Sequence, residues 1–495
     1  MNQHRAAISA PTDVPVPAYS RRWAAMVVLL VASFMNVLDV GIVNVALPNL
    51  RAGLNANSRQ LEWVVAAYIL TYALALLPFG RLGDVWGRKT IFIIGVAAFS
   101  IASLMCGAAP DIGTLIACRA LQGLAAGMMS PQVMAIAMTL FAPKERGPVF
   151  AFFGLIAETA AIAGPLLGGA LVNADFLGLG WRMVFFVNIV IGVAAVVAAA
   201  AWVPKVEPHP GTKLDWAGAL IAAAAILGLV FPVIEGRGFG WPVWCYGVLV
   251  VSAALLLAFM GWELRQDRRG APQVFPAHLM RNHDYIFGSL SVAVFFSALQ
   301  GFFLVFVIFL QQGFRLTPFE SGLATAAFPA GVLVTTWTAR RMCDLKRRLL
   351  TGAGLLVLSC VLLWIVVART PDTVSSVAFV IPLLVGGLGG GLTMPALFQA
   401  VMRTVPLKDA GAGSGALQVF QQLGGALGVA VISEIFFARL DPLARGAIPV
   451  AMYRTAFEHT LVYFILAYLM IATSSLWMKF DPPSAAVRQG AGPAG

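Results

Sequence analysis

Long apolar runs alternate with short polar connections from residue 23 to residue 478. A helix crossing a hydrocarbon layer of about 30 Å needs about 20 apolar residues. Fourteen runs approach that length. The first six are Trp23–Leu47, Trp63–Phe79, Ile91–Ala109, Ile112–Leu140, Val149–Val172 and Met183–Val203. Two follow, Trp216–Ile234 and Val243–Trp262. The last six are Tyr285–Leu310, Ser321–Trp337, Leu349–Val367, Val374–Met402, Gly411–Phe437 and Thr460–Met478. The connections leave no room for a separate soluble domain. The pattern predicts an all-α integral membrane fold of 14 transmembrane helices.

The runs repeat. The fourth carries Gly123, Gly127 and Pro131, and the twelfth carries Gly387, Gly391 and Pro395, the same ladder displaced by 264. Asp84 and Arg88 follow the second run, and Asp344 and Arg348 follow the tenth, displaced by 260. Two features at nearly one offset point to a duplicated six-helix unit. The expected organisation is a tail at 1–22, a six-helix bundle at 23–203, a linker with two extra helices at 204–284, a second bundle at 285–478, and a tail at 479–495. Parallel repeats of this kind mark transporter folds, with the substrate site near the midplane where they meet.

Composition sharpens the solvent. Hydrophobic residues make up 60% of the 495 positions and charged residues 11%. Mean hydropathy is +0.85. Soluble domains carry about 25% charged residues, so lipid must surround most of this chain. The net charge is +11. Because the basic residues sit in short connections and form no continuous stripe, nucleic acid is not indicated as a partner. They sort by side instead. With an even number of spans, one set of connections and both tails hold 23 Lys and Arg, the opposite set nine, and Arg119 inside a run completes the 33. That bias places both termini in the cytoplasm; the expected location is a bacterial inner or plasma membrane. The polar start ending in Arg21-Arg22 resembles a signal peptide. However, the run after it is long enough to span and many more follow, so it reads as an uncleaved first span. The five cysteines make no CxxC pair; neither a metal site nor a cofactor is indicated.

A few polar residues interrupt the apolar runs. Asp39 lies eight residues before the end of the first run, about 12 Å deep at 1.5 Å per residue. Arg119 lies seven residues into the antiparallel fourth run, about 10 Å deep. The two are expected at similar depth and within pairing reach. Asn36 shares the face of Asp39. A buried ion pair either fixes packing or works as a protonation switch, and the second reading makes Asp39 and Arg119 proton-coupling residues. Glu158 lies about 14 Å into the fifth run with no basic partner nearby in sequence. A carboxyl there is expected to be neutral at rest, and to bind a cationic substrate or carry a second proton. The second half answers with amides: Gln418 and Gln422 lie at the repeat positions of Glu158, and Gln300 near that of Asp39. Asn36, Glu158, Gln300, Gln418 and Gln422 are the expected substrate contacts. Gly80, Gly83, Asp84, Gly87 and Arg88 make a short turned connection that reads as a conformational latch. Gly164, Pro165, Gly168 and Gly169 are expected to break the fifth run as a hinge or seal. The chain has no HExxH, no P-loop and no GxSxG in a suitable context, so enzymatic function is not expected.

These strings resemble the major facilitator superfamily, in particular its fourteen-span drug:proton antiporters of the EmrB/QacA type. Gly80–Lys89 is similar to the superfamily signature between spans 2 and 3. Leu38–Pro48 resembles the span 1 motif of that branch. Arg119 with Gln122-Gly123 is similar to the span 4 motif, whose arginine is linked to proton coupling. Gly164–Gly169 resembles the antiporter motif of span 5, and Trp181-Arg182 with Phe185, Phe186 and Asn188 resembles the start of span 6. Gly41 stands where the branch usually has Thr, and Val190 where Pro often follows the Asn. The resemblance implies two pseudo-symmetric six-helix bundles plus two inserted central helices. It further implies proton-coupled export of amphipathic, often cationic small molecules by alternating access. Relatives of this kind also export amino acids, siderophores and metabolites, and some work with a periplasmic adaptor and an outer-membrane channel. A facilitator or importer of the same architecture is the remaining alternative.

Overall fold

The computed structural model describes residues 19–142, 145–174, 178–205, 214–236, 239–316, 318–338, 344–369, 375–440 and 449–478. The tail expected at 479–495, most of that at 1–22 and Cys343 lie outside the described residues. So do the side chains of Glu158 and Pro165.

Helices account for the regular structure of the described residues. The first half contains α1 (Arg22–Leu54), α2 (Ser58–Trp86), α3 (Arg88–Gly107), α4 (Ile112–Leu140), α5 (Arg146–Ala174) and α6 (Met183–Trp202). A hairpin of α7 (Trp216–Glu235) and α8 (Val243–Arg268) follows, then the short α9 (Ala277–Met280). The second half contains α10 (His283–Ile308), α11 (Pro318–Thr325), α12 (Ala327–Thr338), α13 (Leu345–Arg369), α14 (Val380–Arg403), α15 (Ala410–Phe437) and α16 (Val450–Trp477). Polar residues just ahead of several apolar runs fix the helix starts. Asn57 and Gln60 form a reciprocal cap on α2. Asp111 accepts from the Thr114 amide at 2.9 Å on α4, and Asn282 accepts from Tyr285 on α10. Each occupies amides that the first turn leaves without a partner.

Among the described residues, 12 helices are long and apolar enough to cross a membrane, where hydropathy counts fourteen runs. The other two runs are the fifth and the tenth. The fifth is α5, 29 residues long, part of whose side chains are undescribed. The tenth is helical in two pieces of 8 and 12 residues, parted at Ala326, and neither piece alone spans a bilayer. Two further expectations are corrected. Gly80–Trp86 is not a loop: α2 continues through it, and Gly87 alone turns the chain, at φ +94°. The apolar run ends where lipid ends, but backbone hydrogen bonding carries the helix onward. Nor does Gly164–Gly169 break α5, which runs through it. A helix within a bundle tolerates proline because neighbouring groups take up the freed backbone bond.

The repeat has a packing counterpart. A Cβ at Gly123 would run into the carbonyl oxygen of Tyr68 on α2, and one at Gly387 into that of Phe328 on α12. Gly127 meets Ala75, and Gly391 meets Thr335. Between the halves the partner is displaced by 260 where the glycine is displaced by 264. Another helix pair also sets glycine on backbone in both halves, in a shifted register. Gly164 of α5 lies against Gly41 of α1, a Cβ there coming within 2.9 Å of the Gly41 Cα, and Gly168 lies against Ile42. Their repeat counterparts, Gly424 and Gly428 of α15, lie against the backbone of Ala293 and Ser297 on α10. Close approach of backbones, which only glycine permits, supplies dispersion contact where lipid gives no hydrophobic drive.

Candidate functional site: a buried polar layer and a latch

The first-half core is cut in two. One apolar cluster holds Met35 and residues before it on α1, Phe99 and those before it on α3, and Ala125 and beyond on α4. The other starts at Ile42 on α1 and Cys106 on α3, and ends at Cys118 on α4. Between them lies a polar layer.

Asp39 is 0% exposed and Arg119 1%. The Arg119 guanidinium donates to Asp39 Oδ2 at 2.5 Å, to Gln122 Oε1 at 2.6 Å and to the Val64 carbonyl at 3.1 Å. The other carboxylate oxygen, Oδ1, accepts from Gln122 Nε2 and from Asn188 Nδ2, each at 2.8 Å. Gln122 Nε2 also donates to Ser103 at 2.7 Å. Arg119 Cζ sits 4.3 Å from the centre of the Tyr68 ring. Five helices, α1, α2, α3, α4 and α6, therefore hold one ion pair. Its charge is dispersed over neutral donors and an aromatic face, which offsets the desolvation such a pair suffers. Removing either partner would strand the other charge, at about 3–5 kcal/mol.

Asn36, expected to contact substrate, is engaged: its Oδ1 accepts from Tyr68 Oη at 2.9 Å and its Nδ2 donates to Ser130 at 3.1 Å. Gln418 of α15 accepts from Tyr72 Oη at 3.4 Å. Gln422 is half-buried one turn later. Gln300 is exposed and lies against Gly425. A small apolar cleft between the halves is lined by Gly154 of α5 with Phe295, Leu299, Phe328, Gly390 and Met394 of the second half. The structure thus groups Asp39, Arg119 and Asn36, and separates Gln300 and Gln422 from them. Tyr68, Tyr72, Ser103 and Ser130 carried no sequence signal, being neutral residues inside apolar runs.

The residues expected to act as a latch bridge the two halves in this structure. Asp84 accepts from the Gly411 and Ala412 amides at the start of α15, both at 3.0 Å. A carboxylate is well placed there, since the first turn of a helix presents unpaired N–H groups and a positive dipole end. Arg88 donates to Asp84 at 2.9 Å and to the Leu407 carbonyl across the seam. Arg81 donates to Asp409 at 3.0 Å. His278 lies 3.7 Å from the same carboxylate. Burial holds its imidazole below the usual range, although Asp409 pulls the other way. Gly80 packs against the Gly411 carbonyl, and Gly83 leaves room for Gln132, whose amide donates to the Phe79 carbonyl at 2.7 Å.

Residues 29–429 match the Major Facilitator Superfamily. The chain belongs to that superfamily. It is therefore a multi-pass membrane transporter of small molecules. Among its relatives is a probable actinorhodin transporter of Streptomyces coelicolor, 34% identical over 87% of this chain and 75% of the relative. The multidrug resistance protein Stp of Mycobacterium tuberculosis is 30% identical over 84% of this chain and 77% of its own. In fold, the superfamily bundle matches the human organic anion transporter MFSD10 (TETRAN) with a TM-score of 0.65 and 14% identity, over 91% of this chain and 99% of the other.

Proposed function

We propose that this chain is a proton-coupled secondary active exporter of the drug-efflux type, of the fourteen-span EmrB/QacA branch, working by alternating access. The observation that carries the reading is the Asp39–Arg119 pair, wholly buried yet held by groups that can be re-paired. The names of the relatives, a probable actinorhodin transporter and a multidrug resistance protein, support export of drug-like compounds.

The two six-helix units at 23–203 and 285–478 rock about the seam, with the linker helices of 204–284 beside them. Both termini face the cytoplasm of a bacterial cell membrane, so the closed latch lies on the cytoplasmic side and the site faces outward. A proton reaching Asp39 from outside neutralises it, Arg119 is left with only its bonds to Gln122 and the Val64 carbonyl, and the latch is free to open. One inward proton at about 150 mV releases roughly 3.5 kcal/mol, at ~2.3 per 100 mV. That sustains a neutral substrate gradient of a few hundredfold, at about 1.4 kcal/mol per tenfold. Amphipathic substrates lie against the apolar cleft and the amides of Gln300, Gln418 and Gln422, and Glu158 selects cations. Expelling a monocation against one proton draws on the pH gradient alone; a second proton on Glu158 restores the voltage contribution.

The test is efflux of a compound panel from cells, with and without a protonophore. Asp39→Asn should abolish the protonophore-sensitive part while the protein still reaches the membrane, and Glu158→Gln should spare neutral compounds. Normal efflux from Asp39→Asn removes the assignment. A second reading, export of one dedicated compound, is favoured by the relative named for actinorhodin alone; a panel showing one transported scaffold would select it.

A further inference from the structure

A chain of contacts leads from the buried ion pair to the seam between the halves. Arg119 lies over the ring of Tyr68. The Tyr68 hydroxyl donates to Asn36, and Asn36 donates to Ser130. Ser130 Oγ is in turn 3.2 Å from Tyr72 Oη. The Tyr72 hydroxyl is also 3.4 Å from Gln418 Oε1, on the other half. The two tyrosine rings are stacked, with centroids 6.1 Å apart and planes 4° apart.

Tyr72 is the decisive member. A phenol has one proton to donate, and here two acceptors compete for it. One is Ser130 in its own half; the other is Gln418 across the seam. Such a hydroxyl has two discrete arrangements, which is what coupling between distant groups requires. Its choice depends on how strongly Ser130 is already bound by Asn36, and Asn36 sits one turn from Asp39 on α1. When Asp39 takes a proton, Arg119 loses its anionic partner and shifts against Tyr68, and the change passes through Asn36 to Ser130.

We propose that Tyr68, Asn36, Ser130 and Tyr72 form a relay that reports the protonation of Asp39 to the seam at Gln418. A substrate bearing a hydrogen-bond donor resets the relay by replacing Tyr72 on Gln418. These are positioning residues for proton coupling, and the inference rests on the proton-coupled reading above. The titratable and charged groups around this path are Asp39, Arg119, Cys106, Tyr68 and Tyr72. Because the two acceptors of Tyr72 belong to different halves, substrate occupancy and proton occupancy report to each other.

The experiment uses the full chain, purified in detergent with little buffer and a pH-indicating dye. Ethidium is the probe, because its aryl amines are donors on an amphipathic cation. Binding is read from its fluorescence and proton release from the dye. Wild type should release protons on binding. Tyr72→Phe, Ser130→Ala and Tyr68→Phe (which keeps the ring over Arg119) should each bind ethidium no more than about tenfold weaker, the scale of one neutral hydrogen bond. Their proton release per ethidium bound should fall at least about fivefold, the lower end of typical coupling. Ser130→Thr, which restores a hydroxyl, should recover it. Undiminished release from Tyr72→Phe overturns the relay. No release from wild type, or full release from Asp39→Asn, overturns the proton-coupled reading instead.

Discussion

The two halves share a skeleton and differ in what fills it. In the first half, a layer of Asp39, Ser103, Arg119, Gln122 and Asn188 separates two apolar clusters. Most buried apolar residues of the second half belong instead to one continuous cluster, which also takes in first-half residues such as Leu70 and Met134 and is rich in stacked phenylalanines such as Phe302 with Phe306 and Phe309 with Phe457. Yet the glycine contacts of α2 with α4 recur between α12 and α14, and those of α1 with α5 between α10 and α15. Backbone approach is thus preserved through the duplication where side-chain chemistry is not. The fold requires the first; on the proposed mechanism, coupling to protons requires the second in one copy only.

The proposed latch and its repeat counterpart differ in the same sense. Asp84 reaches across the seam to the start of α15. Its repeat counterpart, Asp344, is bound locally, accepting from the Lys346 amide and lying 3.5 Å from Arg347. Arg348 instead lies beside Gly147 of α5 and bonds Gln399 at 3.4 Å.

The largest expected effect breaks the comparison at its charge layer. Asp39→Asn should lower proton-driven efflux by about 100-fold or more, the scale of losing an essential proton-transfer group. Because it strands Arg119, its thermal stability should fall too. The pair Asp39→Asn with Arg119→Gln should recover stability in a melting assay but not efflux. In contrast, Gln300→Ala in the second half should alter apparent substrate affinity while efflux stays protonophore-sensitive.

The next tests the shared skeleton. Gly164→Val and Gly424→Val each drive a Cβ into a neighbouring backbone, and both should cut the yield of folded protein sharply, by a measure such as size-exclusion profile. If only one did, the two halves would not pack alike. Smaller is the latch contrast: Asp84→Asn should slow transport about tenfold through lost coupling between the halves, and Asp344→Asn about twofold at most, as for an exposed pair.

The smallest effect concerns caps. Asp111 opens α4, and its repeat counterpart Ser375 accepts from Val377 ahead of α14. The bonds from Thr114 hold the Asp111 carboxyl below the usual range. Its stabilisation is therefore present above about pH 3.9, the unfolded value, and is lost as pH falls through the depressed one. The melting difference between wild type and Asp111→Ala should vanish in acid, whereas that for Ser375→Ala should not depend on pH.

Much of this was legible in the amino-acid order. Charges are rare in apolar runs, so Asp39 and Arg119 stand out, and a fixed rise per residue predicts their common depth. The Gly-Pro ladder reveals the repeat because glycine spacing encodes backbone contact. What stayed hidden was neutral. Tyr68, Tyr72, Ser103, Ser130 and Gln132 change hydropathy too little to interrupt a run, and their roles depend on which helices meet. The continuation of α2 to Trp86 was hidden because polarity reports the end of lipid, not of a helix. The parting at Ala326 did have a signal, Pro329, which has no N–H for the helical bond to the Thr325 carbonyl.

The central claim, that one charge layer in the first half couples protons to substrate, is tested most directly in proteoliposomes containing a trapped pH dye. An imposed ethidium gradient should drive proton movement in the opposite direction through wild type, and none through Asp39→Asn with Arg119→Gln, although that variant still binds ethidium. Proton movement persisting in the double variant would contradict the account.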